Sequence, residues 1–459
     1  MAAAVKNDPK VIFGWALYDW ANSSYIVTTG AIIGVFFAST IVPEEGFLGF
    51  DGETLWGAVV SMGAFALFLA MPVLGAIADF SGSKRRFLQI SAYTGAVFTM
   101  LVPFVPDGAV PWFLALFLVS YIGFASGNVF YDGFLPDITT DATIDKVSSR
   151  GYALGYVGGG IYLLLAMVVI LLSDDGGATG LSTSGATRLA IFGAGAWWLA
   201  FTLVAMRRLP ETGVAAGLPA GSGGGWSAYA RVGFARTIAT GRKLLGFRQL
   251  LLFVLAFVFY NDGIQTVISM AGPFASETLD LDITVIGIAF LVVQFIAFFG
   301  ALAFGVLSSR LGTKGAIMVA LAAWTLLAVA GYLIPAGSPG LFLGLACCIG
   351  FVLGGAQALS RSLYGSMIPE EASAEFFGFF SVLSKFSAIW GPLVFAVVSN
   401  RTGSGRPAIL SIAAFFAVGM ILLSRVDIAE ARRSRDRWTF EEGESGLGAP
   451  LPGSRQNPG

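Results

Sequence analysis

Tyr18, Asp19 and Asn22 lie in one apolar run, Tyr260, Asn261, Asp262 and Gln265 in another, and Gln294 and Lys385 interrupt two more. Counted from the start of each run at about 1.5 Å per residue, these side chains fall near the middle of a bilayer. An ionisable group at that depth costs at least about 2.5 kcal/mol on insertion scales, so it faces a bundle interior or a wet cavity and marks a candidate site. Two carboxylates and one ammonium around a cavity can hold a zwitterion, with Asp19 or Asp262 on its amino group and Lys385 on its carboxylate. The competing reading is structural: Lys385 pairs with one Asp, because breaking such a pair leaves a costly lone ion.

A second set, Asn128, Asp132, Gln357 and Arg361, falls nearer the ends of its runs. Asp132 and Arg361 stand 229 residues apart at corresponding helix ends, beside two basic loops. Alternating access needs contacts present in one state and broken in the other, and bridges from Asp132 to Lys84 or Arg85 would form such a gate. Plain interface charges are the alternative.

The loops themselves repeat. Gly75-x-x-x-Asp79-x-x-Gly82-x-Lys84-Arg85-Arg86 follows the second apolar run, and Gly305-x-x-x-Ser309-x-x-Gly312-x-Lys314 follows the eighth, at one offset of 230 residues. Glycine, glycine and base recur together, with Ser309 in place of the acid, so the two halves are parallel structural repeats. The glycines permit tight turning and close helix ends, the cations sit at a membrane face, and the Asp can pair with them or with a neighbouring helix. A loop of this kind can lock a gate.

These residues need a membrane-spanning frame, and composition supplies it: 56% of the 459 residues are hydrophobic and 12% charged, with a mean hydropathy of +0.78. Runs long enough to span lie near 12–40, 54–79, 87–105, 110–135, 150–172 and 188–206, then near 249–272, 284–307, 316–335, 341–364, 376–399 and 406–424. The expectation is an all-α membrane protein with twelve transmembrane helices in two six-helix bundles, over residues 1–206 and 249–427. Residues 207–248 form a cytoplasmic linker with Gly221 to Gly225 and a basic amphipathic piece, and 428–459 a disordered cytoplasmic tail. Alternating loops leave 22 of the 27 Lys and Arg on the side of the termini, with Arg188, Arg401 and Arg406 opposite, so both termini are expected in the cytoplasm. Asp19, Asn22, Ser23 and Ser24 interrupt the first run without a cleavage site after it, which favours a spanning helix over a signal peptide.

The signature loops resemble those of the major facilitator superfamily. Tyr18-Asp19-Trp20-Ala21-Asn22-Ser23, Phe134-Leu135-Pro136-Asp137, Gly151-x-x-x-Gly155-Tyr156-x-Gly158-Gly159, Gly354-Gly355-x-Gln357-Ala358-Leu359-Ser360-Arg361-Ser362, Glu375-Phe376-Phe377-Gly378-Phe379 and Lys385-Phe386 resemble its vacuole-effluxer branch, in a bacterial-type member. The resemblance covers nearly the whole chain. It implies the major facilitator fold and, from eukaryotic members associated with autophagy, export of amino acids. The fourth run lacks a central arginine, a departure from the proton-coupled drug exporters.

The chain has no histidine, so HExxH zinc chemistry and His-based triads are excluded, and neither a Gly-x-Ser-x-Gly elbow nor a P-loop occurs. No enzyme activity, cofactor or metal is expected. Cys347 and Cys348 lie adjacent in an apolar run and read as packing residues. A net charge of -1 does not favour nucleic acid. The expected partners are a small-molecule substrate, the bilayer of a bacterial inner membrane and protons, with the chain acting as a monomer and Asp19 or Asp262 carrying any coupled proton. A transport-inactive sensor or scaffold, or a carrier of another small metabolite, is the alternative. Gly151, Gly155 and Gly159, at four-residue spacing, read as a bare packing face of the fifth helix.

Overall fold

The computed structural model describes residues 5–50, 52–173, 180–212, 226–387 and 390–437. Among these residues the backbone is helical, with an isolated Phe47–Phe50 bridge and no β-strand. Helix α1 (Pro9–Ile41) opens with Pro9 in its first turn and is capped by Asp8, which accepts the Lys10 N–H at 2.8 Å. Two π-turns, Thr29–Ile33 and Phe37–Ile41, loosen its far half. Helices α2 (Gly52–Ser81), α3 (Lys84–Leu101), α4 (Val110–Ile138), α5 (Ile144–Leu171) and α6 (Thr183–Met206) complete the first set. The linker contributes α7 (Trp226–Leu244). The second set is α8 (Arg248–Pro273), α9 (Ile283–Leu333), α10 (Pro339–Met367), α11 (Ser373–Phe386), α12 (Trp390–Thr402) and α13 (Gly405–Ser424).

Ten helices among the described residues are long and apolar enough to cross a membrane. One of them, α9, has 51 residues, or about 75 Å, more than twice a hydrocarbon core of roughly 30 Å. Its backbone breaks at Gly312 (φ 72°, ψ 158°), so it supplies two spans. Neither α11 nor α12 is long enough alone; residues 388 and 389 lie outside the described residues, and the two helices together cover the span expected over 376–399. The count among the described residues is therefore consistent with twelve, in the two six-helix bundles of the major facilitator fold.

Gly82 (φ 59°) and Gly312 both adopt left-handed φ, which explains the repeat of glycine at this loop position. The stripe on α5 packs against α1: a Cβ on Gly155 would lie 2.9 Å from Ser23 Oγ, and one on Gly151 would lie 2.7 Å from the Trp15 ring. Both described ends of the chain meet the α4–α5 loop. The Asn7 N–H reaches the Ile138 carbonyl at 2.8 Å, and Arg435 reaches Asp141 at 2.9 Å, so the termini share one face, called here the terminal face.

The tail departs from expectation. Instead of disorder from residue 428, a helix α14 (Ile428–Asp436) follows α13, capped by Asp427 on the Glu430 N–H at 3.0 Å. Arg435 ties it across to Asp141 and to the Ser366 carbonyl. Residues 438–459 lie outside the described residues.

Candidate functional site

On α1, Trp15, Tyr18, Asp19 and Asn22 recur at helical spacing and share one face; Asn128, Tyr131 and Asp132 do so on α4, and Ser148 and Tyr152 on α5. These three faces converge, and Arg361 of α10 enters between them. Its Nη1 lies 3.3 Å from Asp19 Oδ2 and 3.1 Å from Asp132 Oδ1. Its Nε donates to Ser148 Oγ at 3.0 Å, and Nη2 to the Ser148 carbonyl at 2.9 Å. The guanidinium carbon lies 4.8 Å from the Trp15 ring, 5.4 Å from Tyr131 and 4.1 Å from Tyr152. Tyr131 stacks on Trp15 with centroids 4.5 Å apart and donates its hydroxyl to Asp19 Oδ2 at 2.7 Å. Two carboxylates thus share one guanidinium, which is 4% exposed.

This arrangement overturns the division by depth. Asp19 was expected in the mid-membrane set, apart from Asp132 and Arg361, yet all three meet. The helices run past the expected ends, to Ile138 and Met367, which places Asp132 and Arg361 about 9 Å inside. Asp19 lies about 15 Å inside α1, and the length of the arginine side chain spans the difference. Nor does Asp132 pair with Lys84 or Arg85. Arg85 stays within the first bundle, on the Met206 carbonyl at 2.8 Å, with its N–H on Glu211 at 2.9 Å.

Lys84 heads a second cluster. It is 3% exposed and lies 2.7 Å from Asp137, 3.3 Å from Asp79, 3.1 Å from the Gly133 carbonyl and 2.6 Å from Ser373 Oγ. Asp79 also accepts the Ala374 and Glu375 N–H groups at 3.2 and 2.9 Å, so a carboxylate of the first bundle sits on the N-terminus of α11. Gly75 permits this approach: a Cβ there would lie 2.5 Å from the Ala374 carbonyl oxygen.

The corresponding seam pairs α5 with α9 and α10. A Cβ on Gly305 would lie 2.7 Å from Ser149 Oγ. Asp145 accepts Thr313 and Ser362 hydroxyls, each at 2.6 Å, while Ser309 turns back to the Val306 carbonyl at 2.7 Å. Lys314 binds the carbonyls of Ser424 and Val426 at 2.7 and 2.8 Å, closing the end of α13 rather than a gate. Gln357 accepts the Tyr156 hydroxyl at 2.5 Å across the two bundles.

Of the remaining expected residues, Asn22 donates to Asn128 at 2.8 Å. Tyr18 is buried beside Tyr131, with centroids 5.1 Å apart. Asn261 donates to Ser387 Oγ at 2.7 Å, and Asp262 accepts the Gly391 N–H at 2.8 Å, so both tie α8 to the α11–α12 segment. Gln294 lies beside Gly159 and Gly160, half-buried, and Gln265 is also half-buried. The side chain of Lys385 lies outside the described residues. Trp15, Tyr131, Ser148, Tyr152, Asp137, Asp145 and Ser373 join the clusters without having been singled out; Asp137 stands in a quoted motif, whereas the aromatic residues are hidden in apolar runs.

Residues 57–436 match the family described as "Vacuole effluxer Atg22 like". The uncharacterized MFS-type transporter YxiO of Bacillus subtilis (strain 168) is 32% identical over 413 residues, covering 90% of this chain and 94% of that protein. Autophagy-related protein 22-1 of Aspergillus niger is 28% identical over 304 residues, and the matched part is 48% of its length. The fold is similar to that of the MFS transporter FucP in the outward conformation, with a TM-score of 0.67 at 15% identity, covering 92% of this chain and 99% of FucP. The chain is thus a member of the vacuole-effluxer Atg22-like family, within the major facilitator superfamily.

Proposed function

We propose that the chain moves amino acids, or a similar small amino-bearing solute, across a bacterial inner membrane by alternating access, as proton-coupled efflux, with both termini in the cytoplasm and the bundles bounded at residues 206 and 249. Transport of the MFS type, not enzyme catalysis, is the activity of this family and fold. One observation carries the finer reading: the four acceptors of the Arg361 guanidinium all belong to the first bundle, while Arg361 belongs to the second. An ion pair so divided exists only while the bundles are together at the terminal face, which is what a gate contact requires.

The Lys84, Asp79, Asp145 and Gln357 contacts cross the same boundary and close with it. Asp19 and Asp132, left in excess by one negative charge, are the groups on which a proton or an amino group acts in the open state. Asn261, Asp262, Gln265 and Gln294, with Tyr18 and Asn22, are assigned to the deeper part of the solute path that forms when the bundles part. Reconstitution into vesicles with labelled amino acids, with and without a pH gradient, tests the proposal. Flux that follows the gradient supports it; no movement of any amino acid under either condition overturns it.

A further inference from the structure

The surroundings of Arg361 are built for a planar cation. Trp15 and Tyr152 present ring faces to the guanidinium, Tyr131 adds a third, and Ser148, Asp19 and Asp132 receive its fork of N–H groups. Every one of these groups is on α1, α4 or α5. The cation alone comes from the other bundle. The wall between them is kept open by Gly151, where a Cβ would lie 2.7 Å from the Trp15 ring and 3.0 Å from Arg361 Nη2.

We propose that the first bundle carries a cation box whose tenant in the closed state is Arg361, and that the box takes the guanidinium of a solute once the bundles part at the terminal face. The proposal rests on the alternating-access reading above. When Arg361 leaves with the second bundle, two carboxylates remain in a low-dielectric cavity without their counter-charge, and isolated buried anions of this kind are costly. Aromatic faces attract a cation whose charge is spread over a plane, and the in-plane acceptors match a fork of N–H donors better than a single ammonium point. Arg361 is then a tethered competitor: solute entry and gate closure exclude each other at the same atoms. A charge pair serving only to fix packing gives no reason for all the aromatic faces and acceptors to lie on one side of the moving boundary.

The test removes the tether. In purified full-length R361A, millimolar methylguanidinium is expected to raise the thermal midpoint by at least about 2 °C. The parent, in which Arg361 competes for the box, is expected to rise less than R361A, and R361A/D19N not at all. No rise in R361A, or an equal rise in R361A/D19N or with sodium at the same ionic strength, overturns the box. If R361A does not survive purification, binding of labelled L-arginine to parent and D19N membranes replaces it. Binding displaced by methylguanidinium and at least tenfold weaker in D19N supports the proposal, and equal binding by the two overturns it. Vesicles that move amino acids while methylguanidinium fails would remove the box and leave the transport reading standing. A rise in R361A without flux of any amino acid in vesicles would do the reverse.

Discussion

The carboxylate of Asp79 accepts the backbone N–H of Glu375 at 2.9 Å, across the boundary between the two bundles and 296 positions along the chain. A side chain from one bundle thus caps a helix of the other, and opening the terminal face uncaps it.

Asp79→Asn keeps an acceptor but loses the charge at the positive end of α11. The loss is about 1 kcal/mol, which shifts the closed-to-open ratio roughly fivefold. A cysteine placed at Ser148 in a Cys347/Cys348-free background is expected to react correspondingly faster with a thiol reagent added from the terminal side. An unchanged labelling rate would show that the cap does not bias the gate.

Lys84→Ala leaves Asp79 and Asp137 facing each other in a buried site. Removing one partner of a buried pair costs about 3–5 kcal/mol, so a clear fall in thermal midpoint is expected. Adding Asp137→Asn removes one of the stranded charges and is expected to restore part of the loss. If the double variant is as unstable as the single, charge is not the cause.

Gly75→Ala puts a methyl 2.5 Å from the Ala374 carbonyl oxygen and 2.8 Å from Glu375 Cα, which are backbone atoms and cannot rotate away. Overpacking of this sort costs about 1–3 kcal/mol, all of it in the closed state. Amino-acid flux is expected to drop at least tenfold, with the Ser148 cysteine held reactive. Gly305→Ala, which meets the side chain of Ser149, is expected to be milder and to be relieved by Ser149→Ala.

Asp262 ties α8 to α12 by accepting the Gly391 N–H at 2.8 Å. Asp262→Ala is expected to lose about 1–2 kcal/mol of stability through the lost hydrogen bond, whereas Asp262→Asn, which still offers an oxygen, loses less. Chemical denaturation of the purified protein distinguishes them, and equal losses would assign Asp262 a role dominated by its charge.

The frame of this molecule is legible in its sequence because lipid imposes a length on every apolar run and because the loops at Gly75 and Gly305 repeat at one offset. The glycine at each repeat is readable for a local reason: Gly82 and Gly312 occupy left-handed φ. The box around Arg361 is less so. Depth measured from the ends of apolar runs misplaces a residue by a turn or two, enough to assign Asp19 and Asp132 to different layers. Trp15, Tyr131 and Tyr152 look like packing residues, since an aromatic side chain facing a cation and one facing lipid have the same periodicity.

The short helix after α13 has one further consequence. Its grip on Asp141 is made by Arg435 at a water-facing site, with side chains 20% and 41% exposed, where dissolved ions weaken attraction. Arg361 sits where they do not reach. The two fastenings of the same face therefore respond differently to ionic strength: concentrated salt loosens the strap while leaving the inner bolt fastened. Because the strap is joined to its own chain through Val426 and Asp427, it re-engages at a high effective concentration whenever the salt is withdrawn.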